Sequence, residues 1–145
     1  MRPDDEAAVS AQAWLEYADA DIEVATLIGS SPHLTHMACY HAQQAAEKAL
    51  KAYLAWSGDE EIPRTHNLEL LASLVVLRGG PVSAPEAVKF LNVFSVSVRY
   101  PETERPAPEE AGRAREFARE LLAFVRSALQ EASSAGANGA DSPAA

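Results

Sequence analysis

The sequence predicts an all-α fold: an antiparallel, up-and-down bundle of four to five helices. Three observations lead there. The chain of 145 residues is 48% hydrophobic but only 7% aromatic, so its apolar content is mostly Ala, Leu and Val, a composition that favours helix. Apolar residues recur at helical spacing through long stretches. Gly and Pro fall between those stretches and leave connections short enough for antiparallel neighbours. No repeat and no interdomain linker appears, so residues 1–132 read as one bundle domain. Residues 133–145 (SSAGANGADSPAA) are small, polar and Gly-containing, and read as a disordered tail.

The first helix is expected over about Glu6–Ile28, stopping at Gly29-Ser30-Ser31-Pro32. Trp14, Ala18, Ala25 and Ile28 form one column with Leu15, Tyr17 and Ile22 beside it. Glu16, Asp19, Glu23 and Thr26 form the opposite, polar column, while Asp21 falls within the apolar one. The second helix, about Leu34–Trp56, is rich in Ala and ends at Ser57-Gly58. Its apolar face is Cys39, Ala42, Ala46, Ala49, Leu50 and Tyr53, small enough in part for a neighbouring helix to approach closely.

After a loop containing Pro63, a third helix is expected over about His66–Arg78, with Thr65 at its N-cap. It is nearly apolar all round and so should be well buried, and Gly79-Gly80-Pro81 ends it. Ser83 and Glu86 have capping-box spacing and open a fourth helix carrying Val88, Leu91, Phe94 and Val98. Val96-Ser97-Val98 is a strand signal weaker than that helical run, and Tyr100 before Pro101 must leave the α region. The last helix, about Pro108–Ala132, has Pro and two Glu in its first turn, and its stripe includes Ala114, Phe117, Leu121, Leu122 and Val125.

Composition excludes several classes. The balance of 12 Lys+Arg against 21 Asp+Glu gives a net charge of −9, which argues against bulk binding of duplex DNA. The excess is uneven: residues 1–30 hold seven acids and one base, Arg2, whereas residues 99–126 hold six Arg and six acids. No apolar run reaches the roughly 18 residues of a membrane span, and MRPDDEAAVS has no signal-peptide pattern, so no membrane association is expected. The single Cys39 allows no intrachain disulfide and fits a reducing cytoplasm, the expected localisation. It lies on an apolar face and reads as an inert core thiol. No Gly-rich phosphate loop and no His-Glu-x-x-His occurs; His33, His36 and His41 cluster, but His33 and His36 fall at a loop-to-helix start without a carboxylate nearby. No metal and no cofactor are expected.

Chemistry concentrates in the second helix. His41, Gln44, Lys48 and Lys51 recur at helical spacing and share one stripe, with Glu47 beside it, four residues before Lys51. Two readings stand open. One is a solvated helix face; the other is a lined groove in which the lysines bind phosphate and His41 or Gln44 supplies hydrogen bonds. Asp21 needs a cation or backbone donors if buried, either in an ion pair with Arg99 or Lys48 or as an acid of that same site. His66 either belongs to the cap of the third helix or faces the groove. Arg99-Tyr100-Pro101 places a permanent cation and an aromatic at a forced bend, fit for phosphate or base contact or for holding helix-end carbonyls.

Four segments in this order resemble the HEPN domain: Ala18-x-x-Asp21-Ile22-x-x-Ala25; the string Cys39-Tyr40-His41-Ala42-Gln43-Gln44-Ala45-Ala46-Glu47-Lys48-Ala49-Leu50-Lys51-Ala52-Tyr53-Leu54; Thr65-His66-Asn67-Leu68-x-x-Leu71; and Arg99-Tyr100-Pro101. The resemblance spans roughly residues 10–128 and implies an antiparallel helical bundle that dimerises. It implies one of two roles: a module encoded beside a minimal nucleotidyltransferase in toxin–antitoxin or defence systems, or a metal-independent RNase with an Arg-x(4–6)-His motif. Glu104, Arg105 and Pro106 stand where that His would fall, and no His follows Arg99 anywhere. The family's route to RNA cleavage therefore lacks its general acid/base partner.

The leading expectation is a non-catalytic module that binds a nucleotide or RNA end and works with a minimal nucleotidyltransferase. Asp21, His41, Gln44, Lys48, Lys51, His66, Arg99 and Tyr100 would line the site. The alternatives are a metal-independent endoribonuclease using Arg99 with His41 or His66, and a dimeric scaffold without ligand. An apolar third helix together with Trp56, Phe90 and Phe94 offers surface for a homodimer.

Overall fold

The computed structural model describes residues 5–58, 61–80, 85–95, 101, 102 and 104–141, the last six by their backbone alone. Five α-helices follow one another, α1 (Asp5–Ile28), α2 (Thr35–Trp56), α3 (Leu68–Leu77), α4 (Pro85–Asn92) and α5 (Pro108–Asp141), with a 3₁₀ turn at Val93–Ser95 after α4. No strand occurs among the described residues, so the all-α bundle holds.

Helix α2 is the axis of the molecule and packs against each of the other four helices. Its Ala38, Ala42, Ala45, Ala46, Ala49 and Ala52 are all buried, and their small side chains let α1 and α5 close on it from two sides. Leu50 and Leu54 fill the space between, joined by Leu68 and Leu71 of α3, Leu91 of α4 and Leu121 and Val125 of α5. Each such burial contributes about 1.5–3 kcal/mol. Arg126 of α5 grips Asp19 of α1 through both guanidinium nitrogens, and Arg119 donates to Thr26 at 3.0 Å, fixing α5 along α1.

Helix α1 starts and stops where expected, but its faces differ from the expectation. Ala11, Leu15, Ala18, Asp21 and Ala25 form the buried stripe, with Trp14, Ile22 and Ile28 only partly covered. The outward face is not uniformly polar, because Val9, Tyr17 and Leu27 are exposed there.

Helix α3 departs further. Leu68, Leu71 and Val75 are buried, whereas Leu70, Val76 and Leu77 face outward. An apolar sequence cannot bury every face of a helix that has neighbours on one side only. The cap also shifts: Asn67 accepts from the backbone N–H of Glu69 and Leu70, while Thr65 Oγ1 accepts from Asn67 N–H one step upstream. Asn92 braces the same end, accepting from Leu68 N–H at 2.8 Å and donating to Asn67 Oδ1 at 3.2 Å. The C-terminal end closes as expected. Gly79 adopts φ +83, and the N–H groups of Gly79 and Gly80 reach the carbonyls of Val76 and Val75 at 3.0 and 2.9 Å.

Helix α4 is short and tightens into the 3₁₀ turn at Val93–Ser95. Ser83, Val96, Ser97, Val98, Arg99 and Tyr100 lie outside the described residues, and with them the expected capping box, strand signal and bend. Helix α5 continues past Ala132 to Asp141, through an Ala- and Ser-rich stretch with no Pro before Pro143.

Candidate functional site

The seam between α1, α2 and the loop entering α3 gathers two carboxylates, each held between a lysine and a histidine. Asp21 is only 7% exposed although it lies on the core stripe of α1. Its burial is balanced from α2: His41 Nδ1 meets Oδ1 at 2.8 Å, and Lys48 donates to Oδ2 at 2.5 Å. His41 and Lys48 are seven residues apart and therefore stack on one face of α2, two turns apart. Lys48, one of the two cations named for Asp21, pairs with it; the other, Arg99, lies outside the described residues.

Glu47, 4% exposed, is the second carboxylate. Lys51 donates to Oε2 at 3.1 Å, one turn along α2, and His66 Nδ1 approaches Oε1 at 2.8 Å from the loop. Two glutamines complete the join. Gln43, fully buried, donates to the His66 carbonyl at 3.1 Å and accepts from Gln44 at 2.8 Å. The loop is thus pinned to α2 by its backbone and by its imidazole. Asn67 takes the N-cap of α3, and His66 faces Glu47.

A carboxylate can only accept, so each imidazole carries its proton on Nδ1 and leaves Nε2 for other partners. The His41 and Lys48 side chains are each 24% exposed and that of His66 56%, so the outer edges of both units reach solvent. Two rings flank them. Lys48 Nζ lies 6.0 Å from the centre of the Tyr17 ring, and Lys51 Nζ lies 5.7 Å from that of Trp14.

The structure therefore brings together six of the eight residues singled out from sequence: Asp21, His41, Gln44, Lys48, Lys51 and His66. Arg99 and Tyr100 lie outside the described residues. The stripe on α2 is neither a solvated face nor a row of free ammonium groups, because each lysine already holds a carboxylate. Sequence reading placed Glu47 against Lys51 but not against His66, and it overlooked Trp14 and Tyr17 as flanking rings. The signal for the rings was their position, seven and four residues before Asp21 on the same helix. Cys39 is fully buried, and burial, aided by the Glu110 carboxylate, pushes its thiol up to about 12, the inert behaviour expected. No group of three or more His, Cys, Asp or Glu able to hold a metal occurs among the described residues.

The HEPN domain family model matches residues 11–128. The chain belongs to the HEPN domain family. Solved structures agree with this HEPN assignment. TT1696 from Thermus thermophilus is 34% identical, covers 81% of this chain and 96% of its own, and superposes with a TM-score of 0.63. ST0689, described as an archaeal HEPN homologue, is 26% identical over 81% of this chain and 95% of its own, with a TM-score of 0.62. No curated protein matches. Among the described residues of this HEPN bundle, no helix is long and apolar enough to cross a membrane.

Proposed function

We propose that this HEPN chain is a non-catalytic module that receives a nucleotide or RNA end along the α1–α2 seam. In this reading it acts as a homodimer beside a minimal nucleotidyltransferase, in a toxin–antitoxin-like or defence module. One observation carries the ligand reading: two carboxylate–lysine–histidine units lie in line on one face of α2, with their outer edges in solvent beside Tyr17. Each lysine is offset by its own carboxylate, so the seam is close to neutral on a molecule of charge −9. An anion meets little net repulsion there. Lys48 keeps further N–H donors, and Tyr17 offers a ring face to a base.

Thermal unfolding with AMP, ATP and a 5′-phosphorylated oligoribonucleotide tests this. At a ligand concentration of a hundred times Kd, the gain is about 2.7 kcal/mol, several degrees for a domain of this size. Lys48→Ala and Lys51→Ala should each remove the shift measured against their own ligand-free Tm. No shift with any of the three ligands overturns the reading. Lower melting in the variants without any ligand shift in the parent would leave the network a purely structural one, the scaffold alternative.

A second reading has its own support. An imidazole whose Nδ1–H is fixed by a carboxylate presents Nε2 as an oriented proton acceptor, the arrangement a general base needs. His41 on Asp21 and His66 on Glu47 both have it. Metal-independent endoribonuclease activity that His41→Ala and His66→Ala abolish would replace the binding reading, whereas activity unchanged in both would exclude this chemistry.

A further inference from the structure

Helix α1 carries a second apolar face, directed away from the bundle core. Its core stripe runs through Ala11, Leu15, Ala18 and Ala25. Ala18 and Leu27 are nine residues apart, so at 3.6 residues per turn Leu27 points directly away from the core. Val9, Ala13, Tyr17, Ala20, Val24 and Leu27 follow one another along that outer side at helical spacing. Val9, Tyr17 and Leu27 are 70%, 65% and 73% exposed. Large side chains at the two ends and centre, with alanines between, form a shallow ridge-and-notch surface of the kind a second helix fits.

Charge decides which helix. Asp5, Glu16, Asp19 and Glu23 line one edge of this face, and α1 contains no Lys, Arg or His at all. Asp19 is engaged by Arg126, but Glu16 and Glu23 have no cation partner among the described residues. A second copy docked antiparallel across a two-fold axis would set this acidic edge against itself, at a cost in like-charge repulsion. A partner with Lys or Arg along one side of its apolar ridge meets complementary charge instead.

We infer that the outer face of α1 is a docking surface for a basic-edged amphipathic helix from another protein, with Val9, Ala13, Ala20 and Leu27 as the apolar seat and Glu16 and Glu23 as the charged rail. This surface meets the α1–α2 seam at Tyr17, which is left out of the seat, and its test uses no nucleotide.

The probe is a synthetic helical peptide with a Leu/Ala ridge edged by Lys, set against a control in which Glu replaces every Lys, both titrated into the full-length chain by calorimetry. The Lys-edged peptide should bind and the Glu-edged one should not. Leu27→Asp should weaken the Lys-edged peptide at least tenfold while leaving Tm unchanged, because Leu27 is exposed. The double variant Glu16→Lys/Glu23→Lys should reverse the preference between the two peptides. Failure of the parent chain to bind the Lys-edged peptide, or an unreversed preference in the double variant, overturns the inference. So does a dimer in light scattering that Leu27→Asp converts to monomer, since a second copy would then own the surface.

Discussion

Asp21 shows how a single side chain can break a helical pattern and still belong to the core. Its carboxylate is almost excluded from water, and both oxygens are taken by His41 and Lys48 at 2.8 and 2.5 Å. Removing one member leaves the others stranded, which costs more than the pair contributes. Asp21→Asn leaves one acceptor oxygen and no charge where Lys48 and His41 each had an oxygen, and we expect a loss of about 1–3 kcal/mol in urea unfolding. Adding Lys48→Met removes the stranded ammonium and should recover part of that loss, a coupling the double-mutant cycle reads directly. Losses that simply add would mean that the two side chains do not stabilise one another. The sequence made Asp21 legible as an exception, since an acid in an apolar column needs a partner. It could not show that Lys48 is a partner, because that depends on how α1 lies against α2.

The elements themselves are written locally. Hydrophobic period, caps and Gly/Pro punctuation place all five helices, and the largest departures come where a neighbour rather than the local sequence decides. The end of α3 is one place where local rules suffice. Gly79 sits at φ +83 with nothing within 4 Å of where a Cβ would stand, so Gly79→Ala meets conformational strain and no clash. It should cost about 1–2 kcal/mol, lowering the urea midpoint without altering the m-value. An unchanged midpoint would show that the turn does not constrain the helix. The exposure of Leu70, Val76 and Leu77 is the opposite case: seven Leu and Val positions in ten residues predict burial, and only the arrangement of α2 and α4 shows which three are covered. The exposed apolar surface accordingly moves from that expected at Phe90 and Phe94. Phe94 is buried, and Phe90 packs against Phe94, Phe117 and the Arg113 guanidinium, while Leu70, Val76 and Leu77 on the outer face of α3 stay exposed.

At the scale of the whole molecule, Cys39 links the core to pH. Its thiol ionises near 9.0 when free and near 12 when buried, so the folded state holds its proton more tightly than the unfolded one. The contribution is therefore fully present below pH 9 and is lost as pH rises from there toward 12. Stability measured by urea should decline across that interval, and Cys39→Ala should flatten the part of the decline due to the thiol. Iodoacetamide at pH 8 should label the parent only in denaturant; rapid labelling of the native chain would mean that the α2–α5 interface opens readily.

The sequence by itself determined the helices, their order and the family, because periodicity, caps and turn residues act over a few positions and do not need the rest of the chain. It also marked the stripe of His41, Gln44, Lys48 and Lys51. What that stripe does with its charge was decided by tertiary structure. Asp21 arrives from α1 and His66 from the loop before α3, so Lys48 gains its carboxylate and Glu47 its imidazole only once those segments dock on α2, whereas the Lys51–Glu47 pair is local to that helix. The same docking buries one side of α1 and leaves Val9, Tyr17 and Leu27 exposed on the other, a division that helical spacing describes and only packing assigns.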